Sequence, residues 1–391
     1  MDQTEIETMS MTPAQRVQAA FDKRPTDRVP IHHIGVSSRA ASVVLGREAW
    51  VGGGINQWRE AVALWQGEAA HQEFLERSFR DALDFATATQ QDIIRADYWR
   101  MATKPAQRLD EYTFLYGDDE EWAVWQCDPH TELYQIIRRS PKPEVSLDDL
   151  EKQVEASEKS TASYKPTESL LALNARVQKA LGPDCVVRAG YVSCGIPYKE
   201  PAWLEAIALR PDLVARYLDT QAEYAARNVA FLAPRGIKHF WGGGDFASND
   251  GPFYSPKVFH ELMLPRLKRI SDACHQQGAY HLFASDGNLW PVADDLFGAS
   301  GVDGFYEIDR RAGMDLKKLR ARFPHLTLVG ANISSYTLHR GTKEQVAEET
   351  HSCLEDAKRL HGIIVGVSNQ IVGQTPPENM MTMVEVIARH R

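Results

Sequence analysis

The 391-residue chain has no Cys-x-x-Cys pair, no run of 18 apolar residues and no block of five or six like charges. Its five cysteines (Cys127, Cys185, Cys194, Cys274 and Cys353) are scattered and odd in number. That spacing argues against a disulfide framework and against a cysteine-based zinc module. Without a long apolar run, no membrane-spanning helix is expected. The stretch Met1 to Met11 is polar and acidic and lacks the apolar centre of a signal peptide, so a soluble cytoplasmic protein is the expectation. The net charge of −9 argues against a general nucleic-acid binder, and the dispersed charges argue against a charged tail. There is no HExxH, no P-loop and no repeat at a fixed period; Gly242-Gly-Gly244 lacks dinucleotide-binding spacing. Gly52-Gly-Gly54 reads as a lid hinge or a plain loop.

What is present is a regular alternation. Hydrophobic residues make up 43% of the chain, enough to bury a large core. Eight short apolar segments read as strands: 28–34, 92–98, 185–192, 238–242, 279–284, 303–308, 326–330 and 363–367. Nearly all precede a helical pattern. Short β-rich runs suit strands covered on both faces, and eight strand–helix units point to an α/β fold of the (β/α)8 TIM-barrel type. The expected organisation is an N-terminal arm and helix over 1–25, then a single barrel over 26–391. A hairpin excursion near 113–139 and a polar, solvated insertion with one short helix near 140–166 interrupt it. Ser255 can cap a helix that Gly278 closes, with a kink at Pro265. Thr375-Pro-Pro-Glu378 has the spacing of a capping box for the last helix.

A barrel of this type carries its reactive groups where the strands end. The segment Gly278-Ala-Tyr-His-Leu-Phe-Ala-Ser-Asp-Gly-Asn288 shows this pattern: a strand breaks at a turn carrying Asp286, and a helical segment follows at once. Asp286 therefore reads as a metal ligand, an acid/base group or a helix cap. Asp245 follows three glycines, and either serves a functional loop or bonds its own turn. Glu307 sits in an otherwise apolar strand, where a carboxylate is costly unless paired; Arg310 or Arg311 could be that pair. His281 is mid-strand, either a core histidine or a ligand. His32 and His33 point to opposite faces, and parity with Val29 and Ile31 places His33 inward. Arg39, Arg95, Arg188, Asn332 and Asn369 complete the polar groups at strand ends that could bind substrate.

Several segments in order resemble the uroporphyrinogen decarboxylase superfamily: Thr12-Pro-Ala-Gln-Arg-Val17, Asp27-Arg-Val-Pro30, Gly244-Asp245, Ser255-Pro256, Gly301-Val-Asp-Gly304, Gly313-Met-Asp315 and Thr375-Pro-Pro-Glu-Asn379. The resemblance covers nearly the whole chain and implies a (β/α)8 barrel with a deep cleft, and a homodimer. One branch decarboxylates porphyrinogens and carries an Arg-Gln-Ala-Gly-Arg-Tyr type motif. This chain instead reads Gly35-Val-Ser-Ser-Arg-Ala40, so that activity is not expected. The other branch transfers methyl groups between a corrinoid protein and a thiol, an aryl ether or a folate. Its thiol-using members hold zinc with a His-x-Cys pair and a later Cys. Those positions fall here on Ala284, Asp286 and Asn369.

Two arrangements remain open. A harder zinc site could use His281, Asp286 and Glu307. Alternatively Asp286 or Glu307, with Asp245 nearby, could act as a general acid without metal while a partner corrinoid takes the methyl group. The leading expectation is a methyltransferase or demethylase component acting on a small methoxylated or methylated compound, with a corrinoid protein or folate as acceptor. The alternatives are a decarboxylase of a small carboxylic acid, with Arg39, Arg95 and Arg188 holding the carboxylate, and a non-catalytic ligand-binding barrel.

Overall fold

The computed structural model describes residues 10–330 and 333–391. Eight parallel strands close into a ring. Five of them form one sheet in the spatial order Ile363–Ile364, Thr327–Val329, Gly304–Tyr306, Tyr280–Ala284 and His239–Gly243. A bridge from Phe240 to Ala189 joins this sheet to the pair Val186–Val187 and Ile93–Ile94. The Asp92 amide then donates to the Ile31 carbonyl at 2.8 Å, and Ile31 bridges Val365, which returns the ring to its start. Farther along, Gly35–Val36 pairs with Gln370–Ile371. This is an α/β fold of the TIM-barrel type, and each of the eight segments read as a strand contributes one.

Strand burial explains why the segments are apolar throughout. In Tyr280–Ala284, Leu282 and Ala284 join an inner cluster with Ile34, Ile93, Trp241, Tyr306, Val329 and Ile364. Phe283 of the same strand belongs to the outer cluster with the surrounding helices. Both faces are dry, so alternation with polar residues is absent.

The first helix, Pro13–Phe21, packs against one end of the barrel, and residues 1–9 of the expected arm lie outside the described residues. Thr12 and Gln15 form a reciprocal capping box, and Pro13 occupies the first turn. The helix closes the floor of the barrel with Val17, Ala20 and Phe21, the last packed 4.7 Å from the His239 ring and 4.5 Å from Tyr280. Arg16 of this helix is fully buried. Its Nε donates to Asp27 at 2.7 Å, and its Nη1 pairs with Asp92. Asp92 also accepts from the Ile31 amide and from Arg391, each within 2.9 Å.

Elsewhere the chain departs from what its sequence suggests. The excursion is a four-stranded antiparallel sheet spanning Gln107–Arg108, Thr113–Gly117, Trp122–Asp128 and Leu133–Arg139. Its last turn folds back on the barrel. The Glu132 carboxylate accepts from the Arg39 amide, and the Glu132 carbonyl accepts from Ile55. Gly54, at φ 59°, makes the approach feasible: a Cβ there would lie 1.9 Å from the Glu132 oxygen. Arg39 is thereby spoken for. Its guanidinium donates to the carbonyls of Pro129 and His130, so it holds the turn of this sheet and does not face a substrate cleft.

The polar stretch near 140–166 carries the 17-residue helix Leu147–Ser163. Its Leu150 and Val154, one turn apart, are buried in the outer core, a narrow apolar stripe on a charged helix. Around Pro265, which lacks an amide donor, the helix widens into a π-turn over Phe259–Met263 before continuing as Leu264–Gln276. The last helix, Pro377–His390, starts without a side-chain cap; the Thr375 hydroxyl is buried without a partner. Among the described residues, no helix is long and apolar enough to cross a membrane.

The floor network gives a first prediction. Arg16→Met leaves the buried Asp92 and the half-buried Asp27 short of a cation, and should cost on the order of 3–5 kcal/mol in urea unfolding. Burial would raise the Asp27 carboxyl, but hydrogen bonds from Arg16 and the Met11 amide bring it down to about 2. A carboxylate held low contributes its stability above the ordinary value near 3.8 and loses it as pH falls towards about 2. The destabilisation by Arg16→Met should therefore shrink across that acid window.

Candidate functional site

The fourth, fifth and sixth strands deliver three acids to the mouth of the barrel. The fourth ends in Gly242-Gly-Gly244. A Cβ on Gly243 would lie 2.3 Å from the Ala284 carbonyl oxygen, so the glycine lets the two strand ends close on each other. Asp245 then accepts from the Asp286 amide at 3.0 Å across the gap, instead of bonding its own turn.

In the turn after the fifth strand the Asn288 side-chain oxygen accepts from the Trp290 amide at 3.1 Å, and the short helix Trp290–Val292 has no side-chain cap. Asp286 is thus not a helix cap. Its carboxylate accepts from the Asn369 side chain at 2.6 Å, which brings the eighth strand into the site. Burial, followed by the negative charges of Glu307, Asp245 and Asp309, pushes Asp286 up to about 7 against the opposing Asn369 hydrogen bond. At neutral pH the side chain therefore exists in both protonation states.

Glu307 follows the sixth strand with φ at 65°, a left-handed conformation that is strained for a residue with a side chain. Arg310 instead meets Glu349 at 3.6 Å and Arg311 lies over Tyr336, so neither pairs with Glu307. Burial raises the Glu307 carboxyl, the nearby Arg188 lowers it, Asp245 raises it further and Arg95 opposes; the net direction is upward.

Arg95 and Arg188 occupy the ends of the second and third strands. Both reach the Ile34 carbonyl, at 2.5 and 3.4 Å. Arg188 lies 5.0 Å from the rings of Trp241 and Tyr306, and Tyr306 donates to the Gly242 carbonyl at 2.7 Å. Asp286, Glu307, Asp245, Asn369, Arg95 and Arg188 thus share one end of the barrel.

Other expected members stand elsewhere. His281 faces outward: its Nδ1 is 2.9 Å from the Ser271 hydroxyl on helix Leu264–Gln276. It is a core histidine, held down to about 3 by burial, and cannot join Asp286 and Glu307 around a metal. His33 also faces the helices, beside Phe85, with the Val367 amide donating to its Nδ1 at 3.3 Å. The inward residue is His32, 5.3 Å from Trp241, its Nδ1 2.9 Å from the Ile93 carbonyl. Parity with Val29 and Ile31 misleads because both belong to the outer core. Parity with Ile34 would have found His32. Asn332 lies outside the described residues.

The donors for zinc do not fit. Ala284 offers no ligand atom, Asn369 donates a hydrogen to Asp286, and His281 is turned away. Among the described residues, no three His, Cys, Asp or Glu side chains gather as a metal-binding group.

Fold and site together define a (β/α)8 barrel with an acid-lined mouth. The uroporphyrinogen decarboxylase (URO-D) family model matches residues 189–390, just over half of the sequence, and the chain belongs to that family. No curated protein shows a significant match. Among solved structures, a methyltransferase from Methanosarcina mazei is similar over 97% of this chain and 99% of its own, with a TM-score of 0.63 and 18% identity. At that identity the likeness is one of fold.

The raised Asp286 carboxyl makes a stability prediction. Its charged form is disfavoured in the fold, so its cost is small near pH 4, grows as pH rises from about 3.8 to about 7, and is fully present above that. Asp286→Asn should then stabilise the protein by on the order of 1 kcal/mol at about pH 8, after allowance for partial solvent screening, and by little near pH 4. Thermal unfolding at the two pH values checks this.

Proposed function

We propose that this protein is a methyltransferase or demethylase component that takes a methyl group from a small methoxylated or methylated compound, with Asp286 as the general acid. The observation that carries the reading is the carboxyl pushed up to about 7 at the barrel mouth, among Glu307, Asp245 and Asp309. An ether oxygen is a poor leaving group unless it receives a proton as its bond to the methyl carbon breaks. A carboxyl that titrates near neutrality is suited to give that proton. The full-length likeness to a methyltransferase fold supports the same choice.

In this reading the proton moves from Asp286 to the departing oxygen, and the carboxylate left behind is reprotonated from solvent. Asp245 holds the Asp286 backbone through the 3.0 Å hydrogen bond, and Asn369 fixes the carboxyl orientation. Glu307 contributes negative charge that keeps the proton on Asp286. A corrinoid on a partner protein, or a folate, would supply the acceptor for the methyl group. Asp245 is exposed at this end of the barrel, within reach of a docking partner.

The test is to mix the protein with aryl ethers, methylamines or thioethers and a reduced corrinoid protein, and to follow the cobalt absorbance. Asp286→Asn should lower turnover by about 10²–10⁴-fold. The rate should fall as pH rises through about 7, as the acid form is lost. No spectral change with any donor, or full activity in Asp286→Asn, would overturn the assignment.

A further inference from the structure

The least expected feature of the mouth is a pair of like charges. The second and third strands pair Ile93 with Val186 and Ile94 with Val187. One step farther, the same register sets Arg95 beside Arg188. Like charges in adjacent register repel, and here the repulsion acts in a poorly hydrated place. Burial, and then the Arg188 charge, lower Arg95 below the ordinary arginine value. Such a pair is costly unless something of opposite charge completes it.

The protein supplies little. Among the described residues, neither guanidinium has a carboxylate within 4.0 Å, although most other arginines of the chain do. Both spend donors on one neutral acceptor, the Ile34 carbonyl, and Arg95 also uses the Asp97 carbonyl. Aromatic rings hold them instead. Arg95 lies 4.6 Å from Tyr98 and 4.4 Å from Trp99, and Arg188 lies 5.0 Å from both Trp241 and Tyr306. Stacking orients a guanidinium and leaves its edge free for an anion.

Two further observations point to a ligand. The pair lines a cavity of about 250 Å³, together with Asp97, Gly190 and Tyr191, and Tyr191 has a strained φ of 78°. Beside the pair, the buried Nε2 of His32 and Nε1 of Trp241 have no hydrogen-bond partner, on rings 5.3 Å apart. Buried polar atoms without partners are rare in folded proteins. The charged groups around the pair are Glu307 and Asp97. The first can offset one of the two positive charges, and the second is exposed to water.

We infer that Arg95 and Arg188 form a binding site for one carboxylate group of a small substrate, so that the compound whose chemistry is carried out at Asp286 is a monoanion. The substrate's role rests on the reaction proposed above, whereas the anion site itself does not. A carboxylate laid against two guanidinium edges accepts charge-assisted hydrogen bonds from both. The body of the molecule would then occupy the cavity beside the pair, which Leu170, Leu173 and Asn174 also line.

Calorimetric titration of the full chain with benzoate and with benzamide tests the site. The two probes share shape and differ in charge. We expect benzoate to bind about 10–100-fold more tightly at low salt, the range for hydrogen bonds to a charged group. Arg188→Gln and Arg95→Gln should each bring benzoate down to the benzamide level and leave benzamide unchanged. Asp286→Asn, which removes a negative charge, should keep or strengthen the preference. Equal affinity of the two probes for the unaltered protein, no binding of benzoate, or a preference that survives both arginine substitutions would overturn the inference. No methyl acceptor takes part in the titration. A carboxylate preference without methyl transfer would therefore remove the proposed reaction and leave the anion site standing, and transfer without that preference would do the reverse.

Discussion

The barrel depends on one buried cation. Arg16 is inaccessible to water, and a guanidinium in that position must be neutralised where it stands. Asp27 and Asp92 do so from the approach to the first strand and the start of the second. Asp92 also holds the Ile31 amide and the C-terminal Arg391. One side chain thus ties the floor helix, two strands and the end of the chain into a single closed face. The segments that resemble family motifs at the N-terminal end, Thr12 to Val17 and Asp27 to Pro30, are the two halves of this contact. Their role is to close the barrel.

The mouth inverts that arrangement. Asp92 at the floor meets two arginines, while Asp286 at the mouth meets three acids and one amide. Both are partly or wholly removed from water, and the difference between a carboxyl held charged and one pushed towards its protonated form lies in the sign of the neighbours. The same contrast holds for cations. Arg16 is matched by two carboxylates, and Arg95 with Arg188 is matched by none in contact. Backbone strain follows the division too. Glu307 and Tyr191 take left-handed conformations at strand ends beside the mouth.

Sequence reading located the strands well because a strand buried on both faces is a short apolar run bounded by turns, and this chain has eight. The same dryness made facing illegible. Val29 and Ile31 are as apolar as Ile34, so no polarity difference told His32 from His33, and His281 had no visible sign of its outward turn towards Ser271. Arg39 was misplaced for a different reason. Its partners, the carbonyls of Pro129 and His130, lie about ninety residues away, brought back by the turn of the antiparallel sheet. No local pattern announces a contact of that kind. Sequence left Asp286 open as a helix cap, and only the fold shows its carboxylate turned to Asn369 instead.

The three positions where the resemblance expects zinc ligands hold Ala284, Asp286 and Asn369, and these residues are chemically consistent with one another. Ala284 offers no ligand atom, and Gly243 closes against its backbone. Asp286 and Asn369, in place of two thiols, make a hydrogen bond to each other. That bond requires a hydrogen between the two side chains, in the space where a shared metal would need lone pairs from both. Alone it would favour the charged carboxylate. Burial and the three neighbouring acids outweigh it and favour the protonated form. Thiolate formation asks for positive charge at this point of the barrel, whereas protonation of a leaving oxygen asks for an acid that has not already lost its proton. The carboxylates around Asp286 meet the second requirement and work against the first.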